Sequence, residues 1–124
     1  MWTSAFREVF LREGTSGDDF WCVLDALARE RPMSFVFFLG RVAEGFGCTV
    51  HEGLGFSLEN DWDDPSAFDG VAFFVGGHES SVMPTGVFVQ SLAVACEHYV
   101  DSTTDDATTV LQLLDRIRSR YTQP

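Results

Sequence analysis

The sequence contains no lysine: all eight basic residues are arginine, and none falls between Arg41 and Arg116. Across that gap stand thirteen Asp and Glu, from Glu44 to Asp115, and the chain carries a formal net charge of −11. A chain of that sign does not hold nucleic acid or an anionic membrane through its own field. Long apolar runs are missing as well, so nothing reaches the length of a membrane-spanning helix. The opening residues, Met1 to Glu8, carry neither a basic leader nor a long apolar stretch. A cytoplasmic protein with no membrane contact is the expectation. Cysteine is scarce, and Cys22, Cys48 and Cys96 are an odd number without metal-type spacing, which suits free thiols in a reducing compartment.

What is abundant is apolar and aromatic. Hydrophobic residues make up 45% of the 124, twelve of them Phe, enough for one globular domain over residues 1–124 with a real core. The most unusual stretch is Glu59-Asn-Asp-Trp-Asp-Asp-Pro-Ser-Ala-Phe-Asp69, which puts five carboxylates into eleven residues around a single indole. Mutual repulsion and strong hydration place such a loop at the surface. Trp62 admits two readings: a local plug folded onto the sheet edge, or an anchor in a binding surface whose charged surround is the carboxylates. The candidate partner-binding residues are therefore Glu59, Asp61, Trp62, Asp63, Asp64 and Asp69, with Glu79 nearby in sequence. If the loop only binds, reversing Asp61, Asp63 and Asp64 together is expected to leave stability nearly unchanged or to raise it.

Taken in order, Phe6, Val9 and Phe10 have helical spacing, with Thr3 or Ser4 available as N-cap. Ser16-Gly-Asp-Asp19 reads as a capping box ahead of Phe20, Leu24 and Leu27, in a helix running to about Arg31. After Pro32, Phe35, Phe38, Leu39 and Val42 keep a helical face that stops at Gly45, although Phe35 to Leu39 also fits a buried strand. Glycines then recur to Gly77, and Cys48 to Val50, Leu54 to Leu58, Val71 to Val75 and Ser80 to Met83 read as strands, the third of them central. Pro84-Thr85 opens a helix with Phe88, Leu92, Ala95 and Tyr99 on one face. Past an acidic, threonine-rich link from Asp101 to Asp106, a last helix turns Val110, Leu111, Leu114, Ile117 and Tyr121 inward, and the tail from Thr122 is expected to fray. The fold class is α+β: a small, mainly antiparallel sheet flanked by N-terminal and C-terminal helices.

Catalytic and cofactor signatures fail residue by residue. His51-Glu52 and His78-Glu79 begin like a zinc helix but have no second histidine at the required spacing. Gly55-Phe-Ser-Leu-Glu59 has Glu where a nucleophile elbow needs Gly. Asp61-Trp-Asp63 starts like a calcium loop, yet Pro65, Ser66 and Ala72 stand where ligands and the turn glycine belong. No metal, no cofactor and no catalytic activity are expected. A small hydrolase using Asp63, Asp64 and His78 stays open as an alternative, because spatial neighbours are invisible in a sequence.

Asp63-Asp64-Pro65, the Phe68-Asp-Gly-Val71 entry into a strand, and Leu92-Ala-Val-Ala-Cys-Glu-His-Tyr99 on the following helix give the stretch from Phe35 to Ile117 a family likeness. It resembles the immunity proteins of bacterial contact-dependent growth inhibition, in particular the ribonuclease toxin immunity group. The glycine-rich residues 45–55 and the threonine-rich link depart from that pattern and shift where a contact surface would fall. The resemblance implies a cytoplasmic, non-catalytic protein that binds and blocks the C-terminal toxin domain of a cognate effector, a nuclease. An acidic non-inhibitory binding or regulatory module is the other reading.

Overall fold

The helices form where apolar side chains recur at one-turn intervals. The computed structural model describes residues 2–103 and 105–121, the Ala67 side chain excepted. A 3-10 turn over Trp2–Phe6 leads into α1 (Arg7–Leu11), and α2 follows over Gly14–Glu30. Along α2, Phe20, Val23, Leu24 and Leu27 are buried at i, i+3, i+4 and i+7, the stripe a helix presents to a core. The run after Pro32 is helical, not extended: α3 spans Phe35–Ala43, and the Ser34 side chain caps it by accepting the Phe37 N–H at 3.0 Å. Gly45, at φ +86°, turns the chain out of it. After the sheet come α4 (Thr85–Ser102), which buries Phe88, Leu92 and Ala95, and α5 (Ala107–Tyr121), which buries Val110, Leu114 and Ile117.

Between α3 and α4 the chain makes a meander of β1 (Thr49–His51), β2 (Leu54–Ser57), β3 (Val71–Val75) and β4 (His78–Met83), each antiparallel to the next. β3 is internal, as its apolar sequence requires, pairing Ala72 with Ser57 on one side and Val82 on the other. A two-residue turn, Gly76-Gly77, joins β3 to β4 with both residues at positive φ, a geometry that matches strand twist and that glycine takes without strain. Ser80 is an extra residue in β4, opposite the step from Phe73 to Phe74. The inner face of the sheet meets α2 and the rings behind it: Phe73 lies 5.4 Å from Phe20, which stacks on Phe88 at 4.9 Å, while Phe56 lies 5.6 Å from Phe38. Six phenylalanines (Phe6, Phe10, Phe20, Phe38, Phe73 and Phe88) are wholly buried. Truncating any one to alanine removes about 3–5 kcal/mol. Val82, on the other face, is 48% exposed.

The α+β class and the flanking helices match the sequence reading; several local expectations do not. Thr3 and Ser4 cap no α-helix: residues 2–6 form a 3-10 turn, and buried Thr3 donates to Asp25 at 2.7 Å. The capping box at Ser16 is not used either. α2 begins three residues earlier, with Glu13 in the N-cap position, and Asp19 is buried, its carboxylate accepting the Ser81 hydroxyl at 2.6 Å and so tying helix to sheet. β1 lies one residue later than expected, β4 starts two residues earlier, and α4 continues to Ser102, which shortens the link before α5. Leu111 is 44% exposed instead of inward. The tail from Thr122 lies outside the described residues.

Candidate interaction surface

The acidic stretch leaves β2 at Ser57 and returns to β3 at Val71, so it is rooted at the end of the sheet where Ala72 pairs with Ser57 and Met83 with Val71. Its first three residues, Glu59–Asp61, form a 3-10 turn knitted into the body of the protein. One oxygen of Asp61 accepts two backbone N–H groups, from Gly47 at 2.6 Å and Leu58 at 2.8 Å. The second of these is the reach-back half of a capping box; apolar Leu58 supplies no forward half. Asn60 donates from its backbone to Gly45 at 3.0 Å and from its side chain to Glu44 at 2.7 Å. Glu59 accepts from Arg120 Nε at 2.7 Å and from the Tyr121 hydroxyl at 2.6 Å, which fastens the loop to the end of α5. Gly45 suits this crossing because its φ of +86° is one that L side chains rarely adopt, while the ends of the Arg120, Asn60 and Glu59 side chains close on the space a Cβ would take.

Electrostatics follow from those contacts. Burial, reinforced by the adjacent Glu59 carboxylate, raises the pKa of the Tyr121 hydroxyl well above its ordinary value. Burial opposes the charge of Arg120, but the bond to Glu59 outweighs it and its pKa ends raised. At the other end of the chain's last link, burial and the bond to Asp106 push Tyr99 up to about 12.

The loop is already exposed at Asn60 and Asp61 and stays exposed through Ser66. Trp62 is 41% exposed, and Asp63, Asp64 and Asp69 are exposed. Asp64 accepts the backbone N–H and the hydroxyl of Ser66 at 3.0 and 2.6 Å, and these local bonds hold its pKa below the usual carboxylate range. Phe68 packs against the core and holds the returning arm. Of the expected site residues, the structure gathers Glu59 to Asp69 on this one loop, with Glu59 and Asp61 in internal bonds. Glu79 is elsewhere: it pairs with Phe74 beside His78, at the opposite end of the sheet from the loop's roots. The set Asp63, Asp64 and His78 is divided in the same way.

Residues the sequence reading did not single out lie on α3 and just after it. Phe37 is 56% exposed on α3, and one turn on, the Arg41 guanidinium lies 5.1 Å over the Phe46 ring while its Nε donates to Gly47 O at 3.2 Å. The only sequence signal for them was that Phe37 falls outside the helical stripe of Phe35, Phe38, Leu39 and Val42. Among the described residues no group of three or more His, Cys, Asp and Glu is arranged to hold a metal ion. A cleft of about 670 Å³ lined by Trp2, Leu27, Arg31, Met33, Phe35 and Tyr99 among others shares no residue with the loop. No helix is long and apolar enough to cross a membrane among those residues. No protein-family model, curated protein or solved structure matches the chain.

Proposed function

We propose that this is an immunity protein that binds the basic C-terminal domain of a toxin, a nuclease, and neutralises it by covering its substrate groove. The observation that carries this reading is Trp62, 41% exposed and followed by two exposed carboxylates, on a loop whose root is rigidly bonded. A nuclease holds phosphates with arginine and lysine, and a chain of net charge −11 that is free of arginine and lysine from 42 to 115 complements such a groove. Carboxylates steer the encounter, the indole supplies the dry contact, and the covered groove excludes nucleic acid. Such a protein would work in the cytoplasm, where the toxin's substrate is.

The test is co-purification with the C-terminal domain encoded by the gene directly upstream, followed by a nuclease assay of that domain with and without this protein. Stoichiometric binding with loss of cleavage is expected. Binding without inhibition would favour the regulatory-module reading, and hydrolysis of nucleotide, ester or phosphate substrates by the isolated protein, lost on changing Asp63 or His78, would favour an enzyme.

A further inference from the structure

We infer that the cleft bounded by the end of α2, the start of α3 and the end of α4 is a binding site for a small aromatic zwitterion, of which a free aromatic amino acid is the simplest example. Its volume, about 670 Å³, falls within the range of small-molecule sites, and it shares no residue with the acidic loop, so the inference stands apart from the function proposed above. One wall is aromatic. The Trp2 ring lies 5.2 Å from Phe35 and 5.3 Å from Tyr99, and Phe35 lies 4.5 Å from Tyr99. Rings closed on one another in this way leave no cage for a cation, but Trp2 and Tyr99 keep part of their surface open, against which a flat ring can pack. The wall is fixed from behind: Ser34 caps the turn of α3 that carries Phe35, and the Tyr99 hydroxyl donates to Asp106 at 2.9 Å. Leu27 and Met33 add apolar lining.

The charged groups of the cleft are Arg31 and Asp105. Among the described residues neither side chain forms an ion pair or a hydrogen bond, with the other or with any third group. A cation and an anion that share a cleft without meeting are satisfied together by a molecule that carries both charges. A plain anion would gain Arg31 but meet Asp105 and the field of a chain of net charge −11, whereas a zwitterion brings no net charge. Arg31 carries a second mark. Its φ of +50° is left-handed, alone in this among the described residues other than glycine, and it ends α2 at a position where glycine is the usual residue. An arginine standing in a conformation that favours glycine points to use of its side chain.

The experiment titrates the full chain with free tryptophan, tryptamine and indolepropionate by calorimetry, and maps the tryptophan site from backbone amide shifts. Saturable binding of tryptophan at about 1 mM or tighter is expected, with shifts around Met33 to Phe35 and at Tyr99 and none in the acidic loop. Tryptamine, which lacks the carboxylate, and indolepropionate, which lacks the ammonium, should each bind about fivefold more weakly, since the charges they forgo meet exposed partners. Arg31→Gly should melt at or above the wild-type temperature, because glycine takes the left-handed backbone without strain, yet lose the preference for tryptophan over tryptamine. Asp105→Asn should keep that preference and lose the one over indolepropionate. If tryptophan does not saturate, if its shifts fall outside the cleft, or if both variants keep the wild-type preferences, the cleft is no zwitterion site.

Discussion

The residues Glu59 to Asp61 and Trp62 to Asp69 belong to one acidic stretch, yet their carboxylates meet different surroundings. Glu59 and Asp61 accept four hydrogen bonds from Arg120, Tyr121, Gly47 and Leu58, partners drawn from α5, the turn before β1 and the end of β2. Asp63 and Asp69 are exposed, and among the described residues Asp64 bonds only within its own turn. A carboxylate is a strong acceptor wherever backbone N–H groups or a guanidinium are held in reach, and elsewhere it stays with water. The difference lies in what the fold delivers to each oxygen, so the first half of the loop braces the structure and the second half is left for a partner.

The sharpest way to break that contrast is at Asp61. Asp61→Ala strands the N–H groups of Gly47 and Leu58, both buried residues, and should destabilise the protein by about 3 kcal/mol in urea unfolding. Asp61→Asn keeps an acceptor oxygen and should lose roughly half as much. This revises the expectation that reversing Asp61, Asp63 and Asp64 together is harmless: the Asp61 part of that triple change removes a brace. A wild-type midpoint for Asp61→Ala would show that the loop root is not held by these bonds.

Next comes the link to α5. Tyr121→Phe removes one bond to the Glu59 carboxylate and should cost about 1.5 kcal/mol at neutral pH. The sign of its pH dependence follows from the raised hydroxyl pKa. The stabilisation is complete below the unfolded value of about 10 and is lost as pH rises through the higher folded value. Wild-type stability should therefore decline in alkali above about pH 10. Tyr121→Phe should decline less steeply, a comparison that unfolding curves at pH 8 and at about 11 can make. Equal slopes would remove the Tyr121 hydroxyl from the brace, leaving Glu59 held by Arg120 alone.

How much of this was legible beforehand depended on the range of each interaction. The stripe of Phe20, Leu24 and Leu27 is local, so α2 could be read from spacing alone. The run from Phe35 to Leu39 fitted two periods, and the deciding contact was the Ser34 cap, also local but easily passed over next to Pro32. Asp19 looked like a first-turn acid, but its partner Ser81 is 62 residues away. Asp61 likewise looked like one carboxylate among five, because Gly47 is 14 residues distant and a backbone N–H leaves no mark in a sequence. Exposure of Trp62 was one of two open readings, and the sequence held nothing to separate them. Phe37 was hidden by the opposite fault, since an apolar residue in an apolar run is counted with the core.

The smallest effect on stability and a large one on binding should coincide at Asp63 and Asp69. Both are exposed, and among the described residues neither carboxylate accepts a hydrogen bond, so Asp63→Lys with Asp69→Lys removes no internal contact. The melting curve should stay within about 0.5 kcal/mol of wild type, or rise slightly as like charges are relieved. Association with the upstream-encoded domain should slow by about tenfold or more at low salt, with dissociation changing less, because exposed charges act mainly on the encounter. Raising the salt should narrow the gap between the two proteins, since screening removes from the wild type the attraction that the double change has already taken away. An association rate that is equal for both proteins at low salt would separate the outer half of the loop from steering, and would leave the acidic character of residues 62–69 explained by solubility alone.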